Sequence, residues 1–242
     1  MTEHTAKAFD TDLHTLTRMI SEMGGLAERQ VARAVEALDK RDAVLAQSTV
    51  AGDAEIDVFQ HEIEERAILT IARRQPMAVD LREIVAALRI ANDLERIGDL
   101  AKNIAKRVSA LDRDFRPQQV MRGVEHMADL VLVQLKNVLD SFARRDVAKA
   151  IDVWGGDKQI DAVNNSLFRE LLTYMMEDPR TIGFCIHLVF CAKNIERMGD
   201  HATNIAETVY YMIEGKILAD ERPKGDITST TSIAYEPQRR AT

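Results

Sequence analysis

The stretch DLERIGDLAKNIA, residues 93–105, is the part of the sequence that decides the fold, because the chain contains it twice. The second copy is NIERMGDHATNIA, residues 194–206, and it lies 101 positions further along. The copies share the residues ER, GD and NIA in the same register. A match of this length predicts a chain built from two copies of one unit. Each unit carries a Glu and an Asp four residues apart.

The apolar residues around both copies recur every four and three positions in alternation. This heptad spacing is typical of long helices that pack at small crossing angles. The residues of the first series are Ile90, Leu94, Ile97, Ala101, Ile104, Val108 and Leu111. Those of the second are Cys191, Ile195, Met198, Ala202, Ile205, Val209 and Met212. Each copy is therefore predicted to lie on the third helix of its unit.

The rest of the chain also favours an all-α fold. Only five residues are proline, and long stretches without proline permit long helices, because an interior proline breaks the helical hydrogen-bond ladder. Aromatic residues make up 5% of the chain, and β-branched residues do not alternate in runs. We expect two tandem, pseudo-symmetric three-helix bundles. The six long helices expected are residues 9–38, 42–74, 79–111, 118–143, 146–176 and 181–214.

The repeat also sets the expected domain boundaries. The dipeptides RD and GD of the first half return 104 positions later. We assign residues 8–112 to the first unit and residues 117–215 to the second, joined by the linker DRDFRP at residues 112–117. Residues 220–242 contain two prolines and a Thr/Ser cluster but no helical stripe. They are expected to form a flexible C-terminal tail.

Composition excludes several classes of protein. The net charge is −7 and both signs are interspersed, whereas a nucleic-acid surface needs a clustered basic patch. No apolar run approaches the roughly 20 residues of a membrane span, and the N-terminal residues lack an apolar signal core. We therefore expect a cytoplasmic protein. Cys185 and Cys191, six residues apart in an apolar stretch, are interpreted as buried hydrophobic residues.

Four pairs of acidic residues, each spaced by four, are the candidate functional residues. Such spacing places both carboxylates of a pair on one face of a helix. The pairs are Asp53 and Asp57, Glu95 and Asp99, Asp157 and Asp161, and Glu196 and Asp200. If each unit folds back at Pro76 or Pro179, two pairs of that unit meet at about the same height.

Two interpretations of these pairs remain open. Clustered carboxylates form an all-oxygen site that suits Mg²⁺, Mn²⁺ or iron. Alternatively, they are ordinary solvated residues, since Glu95 and Asp99 point away from the heptad seam and are expected to be exposed. His201 is not expected to be a ligand, because the first copy has Leu100 at that position. The recurrence of Gly98 and Gly199 indicates either close helix approach or room beside the carboxylates.

The stretch QPMAVDLREIVAALRIANDLERIGDLAKNIA, residues 75–105, strongly resembles the PhoU family of phosphate-uptake regulators. NIERMGDHATNIAE resembles the second motif of the same family. The resemblance covers about residues 8–215. It implies two pseudo-symmetric three-helix bundles, often as a homodimer, and multinuclear metal sites on the eight carboxylates named above.

The resemblance also implies a function. Members of the family couple the phosphate ABC transporter, including its ATPase subunit, to a sensor histidine kinase, and hold the phosphate regulon off when phosphate is plentiful. Such a protein would be a non-enzymatic adaptor that reaches the membrane only through its partners. The alternative is a metal-dependent phosphoester hydrolase, although the repeats contain no phosphate-binding loop or nucleophile motif. Asn194 and Lys193 replace Asp93 and Asn92, so we expect weaker metal binding in the second unit.

Overall fold

The computed structural model describes residues 2–111 and 118–218. These residues form six long α-helices and two short 3₁₀ turns, with no β-strand among them. The helices are α1 (Thr2–Lys40), α2 (Ala43–Arg74), α3 (Val79–Arg107), α4 (Gln118–Arg144), α5 (Val147–Glu177) and α6 (Ile182–Glu214). The expected all-α class and the six helices are confirmed. The predicted linker at residues 112–117 and tail at residues 220–242 lie outside the described residues.

Two helix ends differ from expectation. The first helix begins at Thr2 rather than Phe9, because Glu, Ala and Lys favour helix even where no apolar stripe marks it. The third ends at Arg107, and the last part of its heptad series continues through a 3₁₀ turn. Val108 and Leu111 are nevertheless buried. The heptad pattern therefore predicted packing correctly even where the backbone is no longer α-helical.

The repeated dipeptide RD forms the turn between the first two helices of each unit. Arg41 and Arg145 adopt the left-handed conformation, with φ of 52° and 55°, which ends α1 and α4. Asp42 then caps α2 by accepting hydrogen bonds from two backbone N–H groups, and Asp146 caps α5 by accepting one from Lys149. The recurrence of RD thus reflects one turn geometry that is used twice.

The third helices of the two units lie at the centre of the molecule. α3 packs against α1 and α2, and α6 packs against α4 and α5, so that each unit is a three-helix bundle. α3 and α6 run antiparallel against each other, since Arg82 Nε donates to Met212 O at 3.5 Å while Arg107 lies beside His187 at the opposite ends. α1 also contacts α4 across the two bundles.

All residues of both heptad series are buried, as predicted. Cys185 and Cys191 are also buried, and removal from water raises the pKa of Cys191 to about 12. Among the described residues, no helix combines the length and the apolar character that crossing a bilayer demands.

Candidate functional site

The eight candidate carboxylates lie in two places, one in each bundle. The first cluster comprises Asp53 and Asp57 on α2 with Glu95 and Asp99 on α3. The second cluster comprises Asp157 and Asp161 on α5 with Glu196 and Asp200 on α6. Both clusters lie where the second and third helices of a bundle face each other.

The expectation that these pairs are exposed was wrong. Four of the eight are buried, and their exposed fractions are 4% for Asp53, 2% for Asp157, 3% for Asp161 and 5% for Glu196. Glu95, Asp99 and Asp200 are half-buried, and Asp57 is exposed. The heptad seam describes only one contact face of the third helix. α3 and α6 each touch several helices, so a second face is covered as well.

Glycine explains why the second and third helices approach so closely at the clusters. A Cβ atom on Gly98 would lie 2.8 Å from Ile56 Cδ1 and 3.4 Å from Asp53 Oδ1. A Cβ atom on Gly199 would lie 2.9 Å from Ile160 Cδ1. The two isoleucine distances are shorter than van der Waals contact permits, so a side chain at Gly98 or Gly199 would force the facing isoleucine to shift. The close approach inferred from the recurrent glycine is confirmed.

A lysine lies inside the first cluster. The Nζ atom of Lys102 donates to Asp53 from the facing helix and to Asp99 Oδ1, at 2.9 Å, on its own helix. The contact with Asp53, and next the contact with Asp99, raise the pKa of Lys102 and keep the ammonium charged. Sequence reasoning missed this residue, because it concentrated on what the two copies share and Thr203 occupies the matching position.

Glu95 lies in the least favourable environment for a carboxylate in the first cluster. Its Oε2 atom is buried and accepts no hydrogen bond from any described residue, although Arg96 Nε lies 3.3 Å away. Burial raises the pKa of Glu95, the nearby Arg96 lowers it, and Asp99 and Asp57 raise it further. The charged form of Glu95 is therefore disfavoured here, and a nearby cation would stabilise it.

The carboxylates of the second cluster have different polar and charged neighbours. Lys193 Nζ lies 2.7 Å from Glu196 Oε2, one turn away on the same helix. Thr203 hydrogen-bonds to its own helix, since its hydroxyl donates to Gly199 O at 3.0 Å. Asp157 approaches the backbone at Gly199, the residue before Asp200. Arg197 is exposed here, as Arg96 is in the first bundle.

The donor set of both clusters suits a hard cation, since it consists of carboxylate oxygens, and the first includes the Oε2 atom of Glu95, which accepts no hydrogen bond from a described residue. In the described part of the chain, no three His, Cys, Asp or Glu side chains already converge around one point. Lys102 lies between the carboxylates of the first cluster instead. Binding a metal there would require these side chains to turn.

A polar contact joins the two bundles near the clusters. His201 Nδ1 lies 2.8 Å from Asp93 Oδ1, and Asn204 Nδ2 donates to the same oxygen at 3.5 Å. A carboxylate only accepts, so Nδ1 carries the proton in this contact. His201 thus orients Asp93 across the interface between the bundles. The sequence signal for this contact was that the two repeated stretches differ at the positions of Asp93 and His201.

Known proteins with similar sequences point to one family. A model of the PhoU domain matches residues 20–108 and 124–209. The phosphate-specific transport system accessory protein PhoU homolog of Rhizobium meliloti is 59% identical over 227 residues, which cover 94% of this chain and 96% of that protein. The homolog of the same name from Caulobacter vibrioides is 52% identical and covers 95% of this chain and 100% of its own length.

Solved structures give the same result. The crystal structure of PhoU from Pseudomonas aeruginosa superposes with a TM-score of 0.82 at 39% identity and covers 86% of this chain and all of that one. The phosphate transport system regulatory protein PhoU from Streptococcus pneumoniae gives 0.81 at 28% identity, over 87% of this chain and 99% of its own. By sequence over nearly its whole length and by fold, the chain belongs to the PhoU family.

Proposed function

We propose that this protein is an accessory protein of a phosphate transport system and a negative regulator of the phosphate regulon. The observation that carries the proposal is the similarity to accessory proteins of this name, 52–59% identical over about 95% of the chain. Similarity of this extent leaves both bundles and both clusters within the matched region. The regulated process is then phosphate uptake, and the protein holds the regulon off when phosphate is plentiful.

The protein would act as an adaptor between two partners, the ATPase subunit of the phosphate ABC transporter and the sensor histidine kinase of the regulon. It would work in the cytoplasm and meet the membrane only through these partners. The proposal includes a homodimer, in keeping with the family resemblance. Long rigid helices in two related bundles suit this role, since they offer two extended surfaces to different partners.

The clusters would hold metal ions in this adaptor, namely Mg²⁺, Mn²⁺ or iron. The ligands would be the first cluster and the second cluster as defined above. A bound cation would neutralise neighbouring carboxylates that otherwise repel each other. The all-carboxylate donor sets and the Oε2 atom of Glu95, which is buried and accepts no hydrogen bond from a described residue, support this part of the proposal.

A metal-dependent phosphoester hydrolase is the second candidate, because clustered metals can activate water. A hydrolase needs an open cleft beside its metals. Here the buried Asp53 and Asp157 lie against tightly packed glycine and isoleucine residues of the helix interface, which favours binding over turnover. Incubation with Mn²⁺ and a generic aryl phosphate should give no turnover above that of a chain with E95Q, D99N, E196Q and D200N. Turnover lost in that variant would favour the hydrolase.

Co-purification from phosphate-replete cells tests the adaptor directly. We expect the tagged chain, isolated from detergent-solubilised membranes, to be enriched in the transporter ATPase subunit and the sensor kinase, as identified by mass spectrometry. A tagged cytoplasmic helical protein of similar size and charge is the control for non-specific capture. If neither partner is enriched over this control, the adaptor proposal fails.

A further inference from the structure

The solvent-facing side of the first part of α6 is apolar. Ile182, Ile186 and Phe190 are spaced by four residues and therefore lie on one face of the helix. Their exposed fractions are 40%, 43% and 48%. Single exposed apolar residues are normal on a protein surface, whereas three on consecutive turns of one helix form a patch of the kind found at interaction sites. These three residues are called the apolar stripe of α6.

The matching face of the first bundle is not apolar throughout. The repeat places Leu81, Val85 and Arg89 of α3 at the positions of the three stripe residues. Arg89 is exposed, and its guanidinium lies over the ring of Tyr211, 5.8 Å from the centre of the ring. Since the first bundle forms with a charged residue at this position, the bundle architecture itself does not require Phe190.

A cation lies against the last residue of the stripe. The guanidinium of Arg107, at the end of α3, lies 4.4 Å from the centre of the Phe190 ring, and its Nη1 atom donates to His187 Nδ1 at 3.4 Å. Its Nε atom is buried and has no hydrogen-bond partner among the described residues. In the described part of the chain, the polar and ring contacts of Arg107 are thus with an imidazole and an aromatic ring, and neither group supplies a negative charge.

The first part of α6 also lacks acidic residues. Residues 182–195 contain none, although the chain as a whole has a net charge of −7. Arg197, seven residues after Phe190 and on the same side of the helix, is exposed. The stripe is therefore bordered by the positive charges of Arg107 and Arg197. Such a surface is complementary to an apolar helix face that has acidic residues at its edge.

Gly183 leaves space beside the stripe. It is exposed, and a Cβ atom built on it would have no heavy atom of the described chain within 4 Å. Alanine would favour the helix more than glycine does, so packing within the described chain does not account for the glycine. A residue without a side chain allows another backbone to approach closely at this point.

We propose that the apolar stripe of α6, with Arg107 beside it, is a docking surface for an amphipathic helix of a partner protein that carries acidic residues next to its apolar face. The apolar residues of the partner would cover the stripe, and its carboxylates would pair with Arg107 and Arg197. This inference rests on the proposed adaptor role and adds the surface on which one of the two partners binds.

A second copy of this chain fits the surface less well. In a symmetric dimer the same surface of both subunits meets, so that each stripe would face its own copy. The Arg107 and Arg197 side chains of both copies would then border one interface, and residues 182–195 provide no carboxylate to separate them. Like charges placed together in this way oppose association. An acidic helix of a different protein avoids this repulsion.

A pair of designed peptides tests the chemistry of the occupant on the unaltered chain. Each peptide is an amphipathic helix of about 18 residues with one leucine face, flanked by glutamate in the first and by lysine in the second. Fluorescence anisotropy measures the binding of the labelled peptides to the full chain. We expect the glutamate peptide to bind at least about tenfold more tightly than the lysine peptide, because its charge is opposite to that of the arginines. Equal binding of the two, or no binding of either, would overturn the inference.

Substitutions in the chain locate the binding surface. I186S/F190S removes the centre of the stripe, and G183L adds a side chain where the surface is open. Each should weaken binding of the glutamate peptide by at least about tenfold, because the apolar contact is lost or blocked. V133S is the matched control, since Val133 is an apolar residue of α4 with an exposed fraction of 58%, and it should change binding by no more than about twofold. Circular dichroism checks that each variant is folded.

The role of Arg107 is tested by R107Q, which should weaken binding of the glutamate peptide about fivefold and reduce its dependence on salt. R122Q, at an exposed position of α4, is the control and should leave both unchanged. Binding that is unaffected by R107Q would overturn the assignment of an acidic occupant. Dissociation of a wild-type dimer by I186S/F190S in sedimentation experiments would show that a second copy is the occupant. Tighter peptide binding by D112N/D114N would show that the acidic linker of the chain itself competes for the surface.

Co-purification from phosphate-replete cells distinguishes this inference from the proposed function. A tagged chain with I186S/F190S should lose one of the two partners that the wild type captures, whereas V133S should retain both. Capture of both partners by I186S/F190S would overturn the inference and leave the adaptor role intact. Capture of neither partner by the wild type would overturn the adaptor role, and the peptide measurements would still decide whether the stripe binds an acidic helix.

Discussion

Asp93 Oδ1 and His201 Nδ1 lie 2.8 Å apart, and this contact joins α3 of one bundle to α6 of the other. The pseudo-symmetry of the chain does not reproduce it. The positions that match Asp93 and His201 in the other copy are Asn194 and Leu100, and this pair cannot form an ion pair. The interface between the bundles is therefore asymmetric in this polar contact.

We expect H201L, which copies the residue of the first unit, to lower the free energy of unfolding by about 1–3 kcal/mol, because a largely buried carboxylate loses its nearest donor. The double variant D93N/H201L removes the charge as well and should recover part of that loss. Urea unfolding followed by circular dichroism measures both effects. If H201L were as stable as the wild type, the contact would have no role in joining the bundles.

The glycines at the clusters give a second prediction. G98A should lower the free energy of unfolding by about 1 kcal/mol or more, since overpacking against buried Ile56 outweighs the helix propensity gained by alanine. The double variant G98A/I56V lacks the methyl group with which the added Cβ atom clashes. It should therefore lose less free energy of unfolding than the sum of the losses of G98A and I56V. G155A is the control, because no described side chain lies within 4 Å of the added atom. It should raise stability by roughly 0.5–1 kcal/mol. Stabilisation by G98A would show that the helices are not held at this distance.

Much of the fold was predictable because the sequence carries the physical cause of each feature. The heptad series of α3 and α6 predicted the buried seam, and the repeated RD dipeptides lie at the turns where Asp42 and Asp146 cap α2 and α5. The burial of Asp53, Asp157, Asp161 and Glu196 was not predicted. Periodicity identifies the strongest apolar face of a helix, and a carboxylate on a second contact face looks the same in sequence as a solvated one.

The contacts that Lys102 and His201 make with carboxylates on other helices were also not predictable from the sequence. Lys102 reaches Asp53 across a distance of 49 positions in the chain, and His201 reaches Asp93 across 108. Neither pairing follows from spacing along one helix. Both residues occur where the two copies differ, so a comparison restricted to shared residues passed over them.

Glu95 predicts a pH dependence in metal-free protein. Burial raises the pKa of this carboxyl above its ordinary value of about 4.3 in the folded state, so its contribution to stability is present at low pH and lost as pH rises through the folded pKa. We therefore expect E95Q to be more stable than the wild type at pH 7 in the presence of a chelator. The difference should shrink as pH falls towards 4. Thermal unfolding at a series of pH values measures it, and E64Q, at an exposed glutamate of α2, is the control.

E95Q less stable than the wild type at pH 7 without metal would contradict this prediction. It would mean that Arg96 compensates the carboxylate more fully than its exposed position suggests. The same experiment with added Mn²⁺ should reverse the order of the two proteins, because the wild type alone keeps the full set of ligands.

Metal binding should stabilise the folded chain. A ligand present at 100 times its dissociation constant adds about 2.7 kcal/mol to the free energy of unfolding. For a chain of this size we expect Mn²⁺ to raise the Tm by roughly 5–10 °C. E95Q/D99N should remove part of the shift, and the addition of E196Q/D200N should remove the rest. If the quadruple variant kept the full shift, the clusters would not be the metal sites.

The central claim is that this chain represses the phosphate regulon, and deletion of its gene tests that claim most directly. The measurement is the expression of a regulon-controlled reporter in phosphate-replete cells that lack the gene. The account predicts strongly raised expression in the deletion strain and a return to the low level when the wild-type chain is supplied on a plasmid. Unchanged expression in the deletion strain, under conditions where phosphate starvation still induces the reporter, would contradict it.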